Sequence, residues 1–144
     1  MINILVLTHG NFAKEILKSA ELIVGEQSNV QAICLNEGAD IDEYRENVAK
    51  TIGELGAGDG VLILTDLYGG TPSNSVTLSM NSEHTKDANF ECLAGFSFPM
   101  LLEALTARGQ MGLQDLKEHC IEIGNSGIKD LRHEINLMVN SSNN

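Results

Sequence analysis

Basic residues are scarce in this chain: 9 lysines and arginines stand against 20 aspartates and glutamates, a formal net charge of -11. No cluster of them could neutralise phosphates along a nucleic acid, which argues against that class of partner. The acidity serves solubility first and steering toward a basic protein partner second. Cysteine is sparse too. Cys34, Cys92 and Cys120 form no Cys-x-x-Cys and no metal-ligand spacing, and their odd number argues against a disulfide framework. Cys34 and Cys92 lie inside strand-like runs and read as buried free thiols. No apolar stretch approaches the length of a membrane span. Met1 opens directly on a strand-like run, without the basic segment and cleavage site of a secretory signal. The expectation is a cytoplasmic protein. A Walker sequence and a kinase-like set of magnesium ligands are also missing, so neither a nucleotide, a metal nor another cofactor is called for.

What remains is enough for one domain. A length of 144 residues can bury a core without staples, and the hydrophobic fraction of 42% is that of an ordinary globular chain. Ile2 to Leu7 is an apolar run broken only by Asn3, as in a strand covered on both faces. Asn11 is placed to cap a helix carrying Phe12, Ile16, Leu17, Ala20, Ile23 and Val24, stopped by Gly25. Val30 to Leu35 reads as a second strand. Asp40 and Glu43 form a capping-box-like pair ahead of a helix with Tyr44, Val48, Ile52 and Leu55 on its apolar side. Glycines 56, 58 and 60 lead into "VLILTD", a third strand. After "GGTPSN" comes a helix from about Pro72 to Met80, then a strand in "NFECLAG" and a helix in "PMLLEALTARG". A last helical region begins near Leu113 and breaks around Gly124 to Gly127, and the polar tail from about 139 to 144 is expected to fray.

Strands alternating with helices imply parallel pairing through right-handed crossovers, hence a doubly wound, mainly parallel α/β sheet with helices on both faces. Ligands in such folds sit beyond the carboxyl ends of the strands, where the strand order reverses. With an order beginning 2-1-3-4, the loop "THGN" after the first strand and "TDLYGGTPSN" after the third share one crevice, and His9 faces Asp66.

That pairing carries chemistry. An imidazole is nucleophilic near neutral pH, and a carboxylate on its other nitrogen fixes the tautomer and stabilises developing positive charge. Thr71 then Pro72 reads as N-cap and first helical position, so the amides near Ser73 and Asn74 would favour an anion. Gly69 and Gly70 admit close backbone approach to a tetrahedral group. Singly, each residue has a plainer reading: a polar loop histidine, a turn aspartate, a tight glycine connection. Their joint placement points to a phosphorylated histidine. His84, in the polar stretch "NSEHTKD", reads as solvated; neither it nor His119 and His133, in helical sequence, is assigned a role.

The stretches "ILVLTHGNFAKEILKSAELIVGEQSNV" and "GVLILTDLYGGTPSNSV", with "FPMLLEAL" and "NSGIKDL" further on, resemble the IIA domain of the mannose-type sugar phosphotransferase system over nearly the whole chain. The resemblance implies a phosphocarrier. His9 would accept a phosphoryl group from phosphohistidine HPr and pass it to a IIB component, with the membrane IIC and IID components downstream. The family's supporting aspartate falls on Asp66 and its hydroxyl residue before the proline on Thr71. A homodimer is implied as well, built through an extra antiparallel strand from the segment after Gly109. One departure stands out: where the family often has an asparagine-leucine pair before the proline, this chain has Ser97 and Phe98, which touches the rim and partner choice rather than His9 and Asp66. The nearest rival is the phosphotransfer subunit of dihydroxyacetone kinase, which usually follows its histidine with serine and lacks the full "GGTP" stretch. A third class is a regulatory module phosphorylated as a signal. Which sugar is carried is not written in the chain, since a IIA domain need not touch it.

Overall fold

The computed structural model describes residues 1–143. The four apolar runs become four strands, β1 (Asn3–His9), β2 (Val30–Leu35), β3 (Val61–Thr65) and β4 (Phe90–Ala94). They form one sheet in the order β2-β1-β3-β4, every pair parallel. The helices are α1 (Phe12–Val24), α2 (Ile41–Leu55), α3 (Thr71–Ser79), α4 (Phe98–Ala107), α5 (Leu113–Ser126) and α6 (Leu131–Ser142). A single 3-10 turn at Glu83–Thr85, unexpected from the sequence, precedes β4. Among the described residues no helix is long and apolar enough to cross a membrane.

Strand side chains alternate between two helix layers, as the pleat requires. Ile4, Val6, Leu62 and Leu64 pack with Ala13, Ala20, Leu101, Leu116 and Cys120 of α1, α4 and α5. Leu5, Leu7, Val61 and Ile63 pack with Tyr44, Val48 and Ile52 of α2 and Val76 of α3. Both central strands are thus covered on each face, which is why they read as continuous apolar runs. Burial pushes the Cys92 thiol up to about 12, with Glu91 adding to it, and the Cys120 thiol up to about 11, with Glu103 adding to it.

Several local expectations are corrected. Asn11 makes no side-chain cap; the N-terminus of α1 is held from the strand, where Thr8 Oγ1 accepts from the Ala13 N–H at 2.7 Å. Asp40 does cap α2, accepting from the Glu43 N–H at 3.0 Å. Cys34 and Cys92 are half-buried rather than buried, because β2 and β4 are the sheet edges, whereas Cys120 is fully enclosed. The segment after Gly109 supplies no antiparallel strand. Leu113, Leu116 and Cys120, at helical spacing, bury one face of α5 against the core. The tail is helical through Ser142, because Asp130 caps α6 by accepting from the Arg132 and His133 N–H groups. Asn144 lies outside the described residues. α6 buries none of its side chains.

At the amino end of the sheet, Arg108 does what no local pattern announces. The residue is only 3% exposed, and its guanidinium donates to the carbonyls of Ile2, Ser28 and Asn29 and to Gln27 Oε1. It ties the start of β1 to the turn before β2.

Candidate functional site

The order β2-β1-β3-β4 makes β1 and β3 neighbours, so the loops leaving them rise side by side at the carboxyl end of the sheet. His9 is the last residue of β1 and Asp66 directly follows β3. Asp66 Oδ2 accepts from the His9 backbone N–H at 2.9 Å and lies 2.9 Å from His9 Nδ1. The carboxylate is mostly enclosed, its side chain 12% exposed, while the His9 side chain is 48% exposed. One oxygen therefore fixes both the strand end and the ring. With Nδ1 donating to a carboxylate, the neutral ring carries its proton there, and Nε2 keeps its lone pair.

The surrounding loops leave Nε2 room. Gly10 turns the chain away from His9 with φ +57° and donates to the Leu35 carbonyl at 2.7 Å. Across the crevice Gly70 backs the ring: a Cβ there would stand 2.8 Å from His9 Cε1 and 3.4 Å from Nε2. Gly69 takes φ +83° to bring that backbone in.

Helix α3 starts one residue earlier than the sequence suggests. Gly70 is its N-cap, Thr71 its first residue and Pro72 its second. The proline still costs no hydrogen bond, because first-turn N–H groups have no intrahelical partner in any case. The N–H groups of Thr71 and Ser73 belong to that first turn, at the helix start that Gly70 places beside the His9 ring. The Asn74 N–H is taken by the Gly70 carbonyl at 2.9 Å, and its side-chain amide donates to the Gly69 carbonyl at 3.2 Å. Ser73 Oγ donates to the Leu67 carbonyl at 2.8 Å and the Gly70 carbonyl at 3.1 Å. The side chains of Ser73 and Asn74 therefore brace the glycine loop. Thr8 is the residue that sequence reasoning missed: buried one position before His9, it pins the α1 N-terminus and so the exit of the "THGN" turn.

The rim is apolar and open. Phe12, at the start of α1, and Leu67 and Tyr68, on the loop after β3, are 49%, 57% and 88% exposed. Phe12 packs on Phe96, ring centroids 5.6 Å apart. Ser97, the departure noted in the sequence, N-caps α4 by accepting from the Met100 N–H at 3.3 Å, the job an asparagine would do. The other histidines stand elsewhere: His84 lies 2.6 Å from Glu46 Oε1 and His119 lies 2.7 Å from Glu103 Oε1.

Comparison with known proteins gives this arrangement a context. Residues 3–121 match the EIIA-man family, described as the PTS system fructose IIA component. The chain is 35% identical over 133 residues to the PTS system mannose-specific EIIAB component of Escherichia coli K12, covering 91% of this chain but only 40% of that protein. It is 31% identical over 116 residues to the PTS system fructose-specific EIIA component of Bacillus subtilis 168, covering 81% of this chain and 77% of the relative. Among solved structures, a phosphotransferase system component EIIA from Streptococcus agalactiae superposes with a TM-score of 0.81 at 34% identity, covering 92% of this chain and 99% of the other. A mannose/sorbose-specific IIA subunit from Enterococcus faecalis superposes with a TM-score of 0.76 at 25% identity, covering 90% and 93%.

Proposed function

The chain belongs to the mannose- and fructose-type IIA family of the sugar phosphotransferase system, and from that premise we propose that it is a phosphocarrier whose reacting atom is Nε2 of His9. The observation that carries this reading is the 2.9 Å contact from Asp66 Oδ2 to Nδ1, which leaves the Nε2 lone pair free on a half-exposed ring.

In this reading the donor is phosphohistidine HPr. The Nε2 lone pair attacks phosphorus, the P–N bond of the donor breaks, and the donor imidazole leaves with that electron pair. The Nδ1 proton stays in place. The phosphorylated ring is then cationic, and the enclosed carboxylate of Asp66 stabilises it across a charge-assisted hydrogen bond. The phosphoryl oxygens are received by the free amides of Thr71 and Ser73 and the Thr71 hydroxyl, in the positive end of the α3 dipole. Gly69 and Gly70 let backbone come near, and Asn74 holds the loop in shape. No metal or cofactor takes part. The second transfer runs the same step outward to a nucleophile of a IIB component, which serves the membrane IIC and IID components.

The exposed Phe12, Leu67 and Tyr68 favour protein partners over a small-molecule donor, since aromatic and apolar residues around a polar centre suit transient protein docking. A cytoplasmic location and a homodimer belong to the same reading; light scattering at micromolar concentration checks the latter, with twice the chain mass expected. The test of function is relay. Incubated with phosphoenolpyruvate, enzyme I and HPr, the protein takes up phosphate, and a mannose-type IIB added afterwards removes it. Uptake without onward transfer to any cognate IIB would make it a regulatory phosphoprotein instead.

A further inference from the structure

Three polar atoms lie fully buried without a hydrogen-bond partner near the site: Tyr44 Oη, Thr65 Oγ1 and Asp66 Oδ1. Native proteins rarely leave such groups unpaired, so each asks for an explanation. Their placement is related. Tyr44, only 7% exposed, sits in the first turn of α2, and α2 begins at the carboxyl end of the sheet, where His9 and Asp66 are. Its ring packs in the cluster of Leu5, Leu7, Val61 and Ile63. Thr65 follows the odd-numbered alternation of β3 onto that same face, fully buried, and directly precedes Asp66. Burial pushes the Tyr44 phenol up, and the carboxylate of Asp66, then the thiol of Cys34, push it further, so phenol and carboxylate are within electrostatic reach. No direct hydrogen bond joins them. A buried water is held by two to four polar partners, and these three unpaired atoms are of the kind it satisfies.

We propose that Tyr44 is a positioning residue for the His9–Asp66 pair, its hydroxyl and that of Thr65 holding a buried water that donates to Asp66 Oδ1. The logic is one of orientation. Asp66 Oδ2 is engaged twice by His9, from the backbone N–H and from Nδ1. A carboxylate held only on that oxygen can rotate about its Cβ–Cγ bond. A donor on Oδ1 stops the rotation and keeps Oδ2 in line with the ring, which in turn keeps the proton on Nδ1 and Nε2 free. Tyr44 touches no reacting atom; it acts through Asp66. This rests on the phosphocarrier reading for its kinetic consequence, although the orientation itself does not.

Two substitutions test it in the full chain. Tyr44→Phe keeps the ring that packs in the core and removes only the hydroxyl, and Thr65→Val keeps the β-branched shape. The readouts are single-turnover phosphorylation by phospho-HPr, the melting temperature, and the imidazole 15N shifts of His9, which report the tautomer. Tyr44→Phe is expected to slow phosphorylation about 3- to 12-fold, the range for one hydrogen bond, and to lower the Nδ1–H tautomer population. Thr65→Val moves both readouts in the same direction. The double variant is no more than about twofold slower than the slower single one, because both lose the same water. A Tyr44→Phe protein with wild-type rate and tautomer overturns the proposal, whether or not its melting temperature falls, and so do effects of the two substitutions that simply multiply. If the wild-type protein accepts no phosphate from phospho-HPr, the phosphocarrier reading fails, and the tautomer comparison still decides the role of Tyr44.

Discussion

Asp66 Oδ2 bonds His9 twice, to its backbone nitrogen and to Nδ1, each at 2.9 Å. The double contact couples the end of β1 to the loop after β3 and sets the ring at the same time. An aspartate that merely made a turn would have no reason to meet the imidazole. The functional and structural roles of this residue separate in a variant that keeps its size.

Asp66→Asn is therefore expected to fold and melt close to the wild type, because a side-chain amide oxygen can still accept from the His9 N–H. It loses the negative charge that stabilises the phosphorylated, cationic ring. A lost charge-assisted hydrogen bond of roughly 1.5–3 kcal/mol slows phosphorylation by about one to two orders of magnitude. Single-turnover transfer and thermal melting on one preparation check it. A less stable variant with wild-type rates would return Asp66 to the turn.

Gly70→Ala addresses the opposite wall. Gly70 has φ -80°, a conformation open to any residue, so the backbone tolerates the change. The new Cβ would meet His9 Cε1 at 2.8 Å, and the half-exposed ring is the part free to give way. The expected outcome is a stably folded protein in which the ring has swung off Asp66. Phosphorylation slows on the order of 100-fold, as displacements of about an ångström can do. Loss of the Nδ1 hydrogen bond by imidazole 15N shifts checks the cause.

The parts legible in the sequence were those set by pattern along the chain. Alternating apolar runs and helical spacings locate the strands and most helices, and the pairing of "THG" with "TDLYGGTP" brings His9 and Asp66 to one crevice when β1 and β3 are neighbours. What escaped was set by contacts across the chain. Asn11 has the right chemistry for a cap, but its backbone sits at φ -84°, ψ 7°, and Thr8 reaches the helix from the strand instead. Gly70 replaces Thr71 as the N-cap of α3, and an N-cap without a side chain leaves no mark to read. Cysteines in strand-like runs look buried until edge strands are told from central ones. Arg108 and Ile2 are 106 residues apart, and no spacing announces their bond.

Arg108 predicts a loss of stability without a loss of function. Arg108→Met fills similar space but removes the donor that the carbonyls of Ile2, Ser28 and Asn29 share. Replacing hydrogen bonds to a charged group is expected to cost about 3 kcal/mol. Urea unfolding measures that loss. Because Arg108 lies at the opposite end of the sheet from His9, the folded variant should be phosphorylated at the wild-type rate.

Alkaline conditions bear on the two raised thiols. Burial pushes the thiols of Cys92 and Cys120 up to about 12 and about 11 from an ordinary 9.0. Folding therefore favours their protonated form, a contribution fully present below pH 9 and lost as the pH climbs through the folded values. The expected result is a melting temperature that falls from about pH 9 upward, with a shallower fall when both cysteines are replaced by alanine. At pH 8 in the native state both are thiols, and alkylation of either by iodoacetamide is slow beside that of the unfolded chain.

The central claim is that His9 carries the phosphoryl group on Nε2 while Asp66 holds Nδ1. The most direct measurement is to phosphorylate 15N-histidine-labelled protein with phosphoenolpyruvate, enzyme I and HPr, and read the coupling between 31P and the ring nitrogens. The account predicts one phosphorus on the His9 ring, coupled to Nε2, with a proton retained on Nδ1 and no label in His9→Ala. Phosphorus on Nδ1, or label that persists in His9→Ala, would contradict it.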